Sequence, residues 1–130
     1  MVFKNLNNLL IKLINAQKSK KRVFVHFKTK LSLKLVHILK NEGLILGYTC
    51  FEFKSKNFIK IFLKYTNFLP VVSKIKLISK PSKRIFFKKN SILKFNANLG
   101  LILLHTNKGL LTHKQCILLN IGGEAIFFIS

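Results

Sequence analysis

Residues 99–129, LGLILLHTNKGLLTHKQCILLNIGGEAIFFI, decide the fold, because they carry the signals for a strand, a turn, a helix and a second strand in order. The apolar run from Leu99 to Leu104 is typical of a strand that is buried on both faces. Thr112 to Gln115 has the spacing of a helix capping box and begins a short helix. Asn120 to Gly123 ends that helix, and Glu124 to Ile129 predicts a closing strand.

A polar loop, His105-Thr106-Asn107-Lys108-Gly109, joins the apolar strand to the capped helix in this prediction. Its hydroxyl, amide, imidazole and ammonium groups suit phosphates, 2′-hydroxyls and base edges, which are the groups that structured RNA displays. Gly109 lets the backbone approach a ligand closely. An ordinary polar turn accounts for the same residues equally well from local sequence alone, so the loop is a candidate site.

A second basic turn lies upstream of this stretch. It follows a strand at 75–77 in which apolar residues alternate with lysines, and it precedes a short strand at 84–87. The turn itself, Ser79 to Arg84, is fixed by a proline and carries three cations, so it is either a phosphate clamp or a solvated loop. Beyond it, Asn90 or Ser91 is expected to cap a brief helix that runs through Phe95.

Three side chains in this half have alternative interpretations. Phe86 and Phe87 have rings that can stack on a base, although aromatic residues at strand spacing more often belong to a core. Glu124 is an isolated acid in a basic half of the chain. It either orients a basic group or accepts a hydrogen bond from RNA, whereas a salt bridge to a lysine is the commoner role for such an acid.

The first half predicts the order α-β-α-β-β. Its predicted elements are a helix at 3–15, a strand at Val23–Phe27, a helix from a Thr29 cap to Gly43, and strands at 44–53 and 57–65 joined by the turn Ser55-Lys56-Asn57. We therefore expect an α+β protein with two small α/β lobes. The N-terminal lobe takes residues 1–68, and residues 69–130 form a C-terminal lobe that is mostly β with short helices.

The charge of the chain limits its function. Its 24 Lys and Arg face only 3 Asp and Glu in 130 residues, a formal net charge of +21, while 49% of residues are hydrophobic. That much apolar content excludes a disordered basic tail. A compact body with so few acids needs a polyanion for counter-charge, and nucleic acid is favoured over an anionic membrane surface. A biased genome accounts for the preference for Lys over Arg but not for the missing acids.

The cysteine and histidine residues do not suggest a catalytic or metal site. Cys50 and Cys116 lack zinc-like spacing and lie among apolar neighbours, which favours buried free thiols over a disulfide. The four His residues form no metal-binding motif, and acidic partners are scarce. We therefore expect no enzymatic activity, no cofactor and no small-molecule substrate. Every apolar run is interrupted by a charge before the ~20 residues that span a membrane, so no membrane insertion is expected.

Several motifs in order resemble the family of the eighth small-subunit ribosomal protein. The strongest are residues 104–112 (LHTNKGLLT) and 121–126 (IGGEAI), where the family typically has Ser-Thr-Ser-Lys-Gly and Gly-Gly-Glu. Three further matches are residues 78–86 (ISKPSKRIF), 39–45 (LKNEGLI) and 13–17 (LINAQ). The resemblance covers nearly the whole chain. It implies that the predicted helix at 3–15, which could also be interpreted as a mitochondrial targeting peptide, is a helix of the mature protein.

The resemblance implies a structural protein that binds helical rRNA of the central domain of the small-subunit rRNA and supports its assembly, beside neighbouring ribosomal proteins. It also implies that the polar loop enters a minor groove. The residues expected to bind RNA are Lys12, Lys30, Lys80, Lys83, Arg84, Phe86, His105, Thr106, Asn107, Lys108, Gly109 and Glu124. His105 and Asn107 replace two family serines, Ser82 replaces a glycine, and Phe86 replaces a tyrosine.

Two other functions and several locations fit the same sequence. A basic protein that lies on membranes through its first helix is one alternative, and a regulator that binds its own messenger RNA is another. The Lys-, Asn-, Ile- and Phe-rich composition points to a ribosomal protein made inside a mitochondrion, with a plastid or a bacterial cytoplasm as alternatives.

Overall fold

The computed structural model describes residues 4–79, 82–88 and 100–130. Its contacts divide the chain into two compact units, with the boundary between Ser73 and Lys74 in the sequence. The boundary predicted from the sequence lies after residue 68. Residues 65–70 form a hairpin, and the Tyr65 hydroxyl donates to the carbonyl of Lys21 in the first unit. Helices and antiparallel sheets occur together, so the α+β class is confirmed.

The first unit contains two helices and a three-stranded antiparallel sheet, followed by the small hairpin. The elements are α1 (Lys4–Lys18), β1 (Val23–Phe27), α2 (Lys30–Asn41), β2 (Ile45–Phe53), β3 (Lys56–Leu63), β4 (Tyr65–Thr66) and β5 (Leu69–Pro70). The sheet order is β1-β3-β2, with β3 paired on both edges. The predicted order α-β-α-β-β is therefore confirmed, with the added hairpin.

Amphipathic spacing forms the core of this unit. Leu6, Leu9, Leu10 and Leu13 follow one stripe of α1 and are fully buried, as the three- and four-residue spacing predicts. Residues of α2 and β3 are buried in the same unit; they include Leu35, Val36, Leu39, Ile59, Ile61 and Leu63. The apolar face of α1 is thus occupied by the core, which argues against a membrane anchor. Within the ranges given above, no helix is long and apolar enough to cross a membrane.

Local signals set the start of α2, and two sequence predictions nearby are wrong. Thr29 caps the helix as predicted: its hydroxyl accepts from the Ser32 amide at 3.1 Å, and the Ser32 hydroxyl accepts from the Thr29 amide at 2.7 Å.

The β2–β3 turn is Lys54–Ser55, both at positive φ, rather than Ser55–Asn57. Cys50 is exposed rather than buried, because neither face of the distal half of β2 is covered.

In its described residues, 74–79, 82–88 and 100–130, the second unit has a five-stranded antiparallel sheet and one short helix. Its elements are β6 (Ile75–Leu77), β7 (Phe86–Phe87), β8 (Leu101–Thr106), β9 (Gly109–Thr112), α3 (His113–Leu119) and β10 (Gly123–Ile129). The strand order is β6-β10-β8-β9, and β7 also pairs with β10. The predicted helix at 90–95 lies outside the described residues.

One side of this sheet packs on α3. Cys116 of the helix joins Ile102, Leu104 and Ala125 in a fully buried cluster, and the thiol is free, as predicted. The predicted capping box of the helix is also present: the Thr112 hydroxyl accepts from the Gln115 amide at 3.2 Å. The helix thus follows β9 directly in the chain and packs against the sheet through Cys116.

His26 makes the stability of the first unit depend on pH. The ring is buried in β1, and its Nε2 lies 3.2 Å from Asn5 Oδ1 on α1. Burial, and to a smaller extent the positive charge of Lys12, lowers the pKa of His26 below its ordinary value of 6.5. The unfolded chain therefore takes up a proton near pH 6.5 while the folded chain does not, so this contribution to stability is lost as pH falls below 6.5.

We expect the thermal unfolding midpoint to fall between pH 7.5 and pH 5.5, and to fall less in His26→Gln. Circular dichroism melts at fixed ionic strength measure both. His37→Gln is the matched control for the loss of a histidine, because His37 is exposed on α2. An equal pH dependence in wild type and His26→Gln would contradict this account.

Candidate nucleic-acid interface

The predicted five-residue loop is a tight hairpin. His105 and Thr106 end β8, Asn107 and Lys108 form the turn, and Gly109 begins β9. The expectation that the loop leads directly to the capped helix is wrong, because a four-residue strand lies between them. That strand pairs with β8 and buries Leu110, and such a short apolar segment gives little periodic signal in the sequence.

Thr106 holds the turn together. Its hydroxyl donates to the Gly109 carbonyl at 2.9 Å and accepts from the Lys108 amide at 3.1 Å, and the residue is buried. Gly109 has φ +97°, a conformation that favours glycine. The hydroxyl is therefore used inside the protein, and the exposed groups at the tip are the side chains of Asn107 and Lys108.

The strand register aligns three of the predicted site residues in one row. Glu124 of β10 lies opposite His105 of β8 on one side and opposite Phe86 of β7 on the other. Directly opposed residues in antiparallel strands share a face of the sheet, so an aromatic ring, a carboxylate and an imidazole lie side by side. His105 is exposed and Phe86 is 66% exposed, so the core placement favoured for Phe86 from spacing is wrong; Phe87 is partly buried.

The glycine pair before Glu124 allows this row to form. A Cβ at Gly123 would lie 2.7 Å from the His105 carbonyl oxygen, and a Cβ at Gly122 would lie 2.5 Å from the Phe87 carbonyl oxygen. Real Cβ atoms essentially never come this close, so only glycine lets the start of β10 fit between β7 and β8.

Glu124 lies mostly buried at the edge of the exposed row. Its side chain is only 9% exposed. Its strand neighbours are an imidazole and a phenyl ring rather than a lysine. A carboxylate at the rim of a basic surface can accept hydrogen bonds from the amino and imino groups of bases.

The basic turn beside this row is anchored by Ser79, whose role the sequence did not reveal. The buried Ser79 hydroxyl donates to the Ala125 carbonyl and accepts from the Ile85 amide at 3.0 Å. The Ile85 carbonyl accepts from the Ala125 amide at 3.0 Å. Lys83 and Arg84 are exposed, and Lys80 lies outside the described residues.

The remaining predicted residues belong to the first unit. Lys12 is exposed on α1, and Lys30 is exposed as the first residue of α2. A cation at a helix N-terminus opposes the helix dipole, and α2 has no acid in its first turn to offset Lys30. The position of Lys30 therefore suits binding of an anion from outside the chain.

The described parts of the chain contain no cluster of His, Cys, Asp and Glu that suits a metal ion. The site consists of cations, an exposed aromatic ring, an imidazole, an amide and one carboxylate around the edge of a sheet. These are groups that contact phosphates, sugars and bases. The fold and this interface define a class: a small basic RNA-binding protein built from two α/β units.

Comparison with known proteins gives the family. A family model described as ribosomal protein S8 matches residues 4–129. The chain is 36% identical over 123 residues to the small ribosomal subunit protein uS8 of Halothermothrix orenii, covering 94% of this chain and 93% of that protein. It is 38% identical over 114 residues to uS8 of Neorickettsia sennetsu, covering 87% of each chain. With uS8c of Phaeodactylum tricornutum it shares 32% identity over 131 residues, covering 99% of each.

The chain belongs to the ribosomal protein S8 family, which confirms the resemblance carried by its motifs. It is accordingly a structural constituent of the small ribosomal subunit and not an enzyme. Its relatives include bacterial and plastid-type forms.

Removing the Thr106 hydroxyl tests its structural role. We expect Thr106→Val, which keeps the shape, to lower the free energy of unfolding by about 1–3 kcal/mol, because a backbone amide and a carbonyl of the turn lose their partner. Thr106→Ser keeps the hydroxyl and is the matched control. Denaturant unfolding measures both; a loss in Thr106→Val no larger than in Thr106→Ser would refute the role.

Proposed function

We propose that this protein binds helical rRNA in the central domain of the small-subunit rRNA and supports the folding of that domain. The observation that carries the proposal is the row Phe86–Glu124–His105, which lies at the end of a sheet beside exposed cations. Family membership and the net charge of +21 support the same partner. Other ribosomal proteins of the subunit are proposed neighbours.

Phosphate neutralisation supplies most of the affinity in this proposal. Lys83, Arg84 and Lys108 are exposed in the second unit, and each phosphate that they neutralise releases condensed counterions. Lys12 and Lys30 of the first unit and Lys80 of the basic turn are proposed as further phosphate contacts. Because 3 acids cannot neutralise 24 cations, most of the cations remain available for RNA.

Recognition is assigned to the hairpin tip and the row beside it. The shallow minor groove of A-form RNA displays 2′-hydroxyls and base edges, and a two-residue turn is narrow enough to enter it. Asn107 donates and accepts hydrogen bonds, and Gly109 gives close backbone approach. Thr106 acts indirectly, because its hydroxyl fixes the turn that presents Asn107 and Lys108.

A mitochondrial ribosome is the proposed location. The support is compositional: Lys outnumbers Arg strongly, as expected for an AT-rich organellar gene. Fractionation of the source cells with an antibody to this chain tests it. We expect co-sedimentation with the mitochondrial small subunit; co-sedimentation with plastid or bacterial ribosomes would refute the location without affecting RNA binding.

Lys108→Ala should reduce both affinity and salt dependence. Loss of one phosphate contact on a duplex-like site lowers the slope of log K against log [salt] by about 0.9. Filter binding to a central-domain rRNA fragment across a salt series measures this. Lys76→Ala is the matched control, because Lys76 is exposed on β6 and pairs with the far end of β10 from Glu124. Equal slopes for wild type and Lys108→Ala would remove Lys108 from the interface.

Glu124→Gln should separate recognition from simple charge attraction. If the carboxylate accepts hydrogen bonds from a base, the change lowers affinity for the cognate fragment by roughly ten- to a hundredfold, since such bonds contribute about 1.5–3 kcal/mol. Affinity for an unrelated RNA duplex should stay the same or rise, because a negative charge is lost. A gain on both RNAs would show that the carboxylate only weakens binding.

A further inference from the structure

We propose that the β4–β5 hairpin of the first unit is a second RNA contact, which holds one unpaired rRNA nucleotide. In this site Phe68 stacks on the base, and Lys20 and Arg22 bind its phosphates. The inference rests on the proposed function, because it assumes rRNA as the partner, but it concerns residues outside the interface described above.

The hairpin tip has a backbone conformation that its sequence does not favour. Asn67 and Phe68 form the turn with φ of +51° and +66°, the arrangement of a tight hairpin turn for which Asn-Gly is the favoured pair. Asn adopts this region readily, but a bulky side chain such as Phe rarely does. A phenyl ring at the glycine position therefore has no local structural reason.

The ring also gains nothing from packing. Phe68 is 90% exposed and the next residue, Leu69, is 68% exposed, so the tip presents apolar surface to solvent. A large side chain that is both strained and exposed is expected where a ligand, rather than the fold, uses it.

A basic groove lies beside the ring. The groove has a volume of about 540 Å³, in the range of small-molecule sites, and it is lined by Lys20, Arg22, Tyr65, Asn67 and Phe68. The Tyr65 hydroxyl donates to the Lys21 carbonyl, so the base of the hairpin is tied to the loop that carries both cations. The backbone that carries Lys20 and Arg22 is thus held beside the hairpin that carries the aromatic rings.

The chemistry of the groove selects the occupant. Two cations beside two aromatic rings suit a nucleotide, whose base stacks and whose phosphate needs counter-charge. No acid lies among the groove residues to compensate the cations. An apolar protein segment would leave both cations without partners, and an unpaired nucleotide is favoured over a paired one because its base face is accessible.

The decisive variant is Phe68→Gly. Glycine suits the turn, so this chain should unfold at the same or a higher temperature than wild type, while its affinity for a full-length small-subunit rRNA transcript falls by roughly tenfold. Phe68→Trp keeps a stacking ring and should retain affinity. Phe53→Ser is the matched control, because Phe53 is a 58% exposed phenyl of the same unit on β2; its affinity should equal that of wild type.

Salt dependence separates the roles of the groove residues. Arg22→Gln should lower the slope of log K against log [salt] by about 0.7, the value for a single-stranded phosphate contact, whereas Phe68→Gly should leave the slope unchanged. An unchanged slope in Arg22→Gln would remove the phosphate contact from the proposal.

A photoreactive phenylalanine analogue at position 68 in reconstituted subunits identifies the occupant directly. Crosslinks to rRNA are expected, and crosslinks only to a ribosomal protein would overturn the inference. If wild type binds the transcript and Phe68→Gly binds within twofold of it, the inference fails and the proposed function stands. If wild type itself does not bind, the proposed function fails.

Discussion

The close approach of the start of β10 to β7 and β8 is the constraint on which the interface depends. At Gly123, the first residue of β10, and at Gly122 before it, any Cβ would overlap a carbonyl oxygen of β8 or β7. That approach sets Glu124 between Phe86 and His105. The Ser79 hydroxyl then joins the basic turn to the same strand. One strand thus positions the aromatic, acidic and basic groups of the proposed RNA surface.

Charge and hydrophobicity have separate roles in this molecule. Apolar residues at helix and strand spacing are buried in the cores of the two units, as the buried stripe of α1 shows. The cations have few acids to pair with, and those in the described residues are exposed or partly exposed at the surface, where they repel one another. A folded chain at +21 is therefore best stabilised when an external polyanion supplies counter-charge.

Most of the secondary structure was predictable because its signals are local. The stripe of α1, the Thr29 and Thr112 caps and the β1 pattern each depend on a few adjacent residues. Long-range pairing was not predictable: the register shift at Ile126 places Glu124 and Phe127 on one face, against strict alternation. The polar loop 105–109 and the basic turn 79–84 were recognisable as candidates from local sequence, and the family resemblance added positions of the first unit such as Lys30. The inward use of the Thr106 hydroxyl and the exposure of Phe86 required the structure.

The most direct test of the account is hydroxyl-radical cleavage of rRNA from an iron chelate tethered at position 107 in assembled small subunits. The side chain of Asn107 is exposed at the hairpin tip, so a probe there reports which RNA lies beside the turn. The account predicts strong cleavage confined to one helical region of the central domain of the small-subunit rRNA. Cleavage confined to another domain, or absence of cleavage from an incorporated protein, would contradict it.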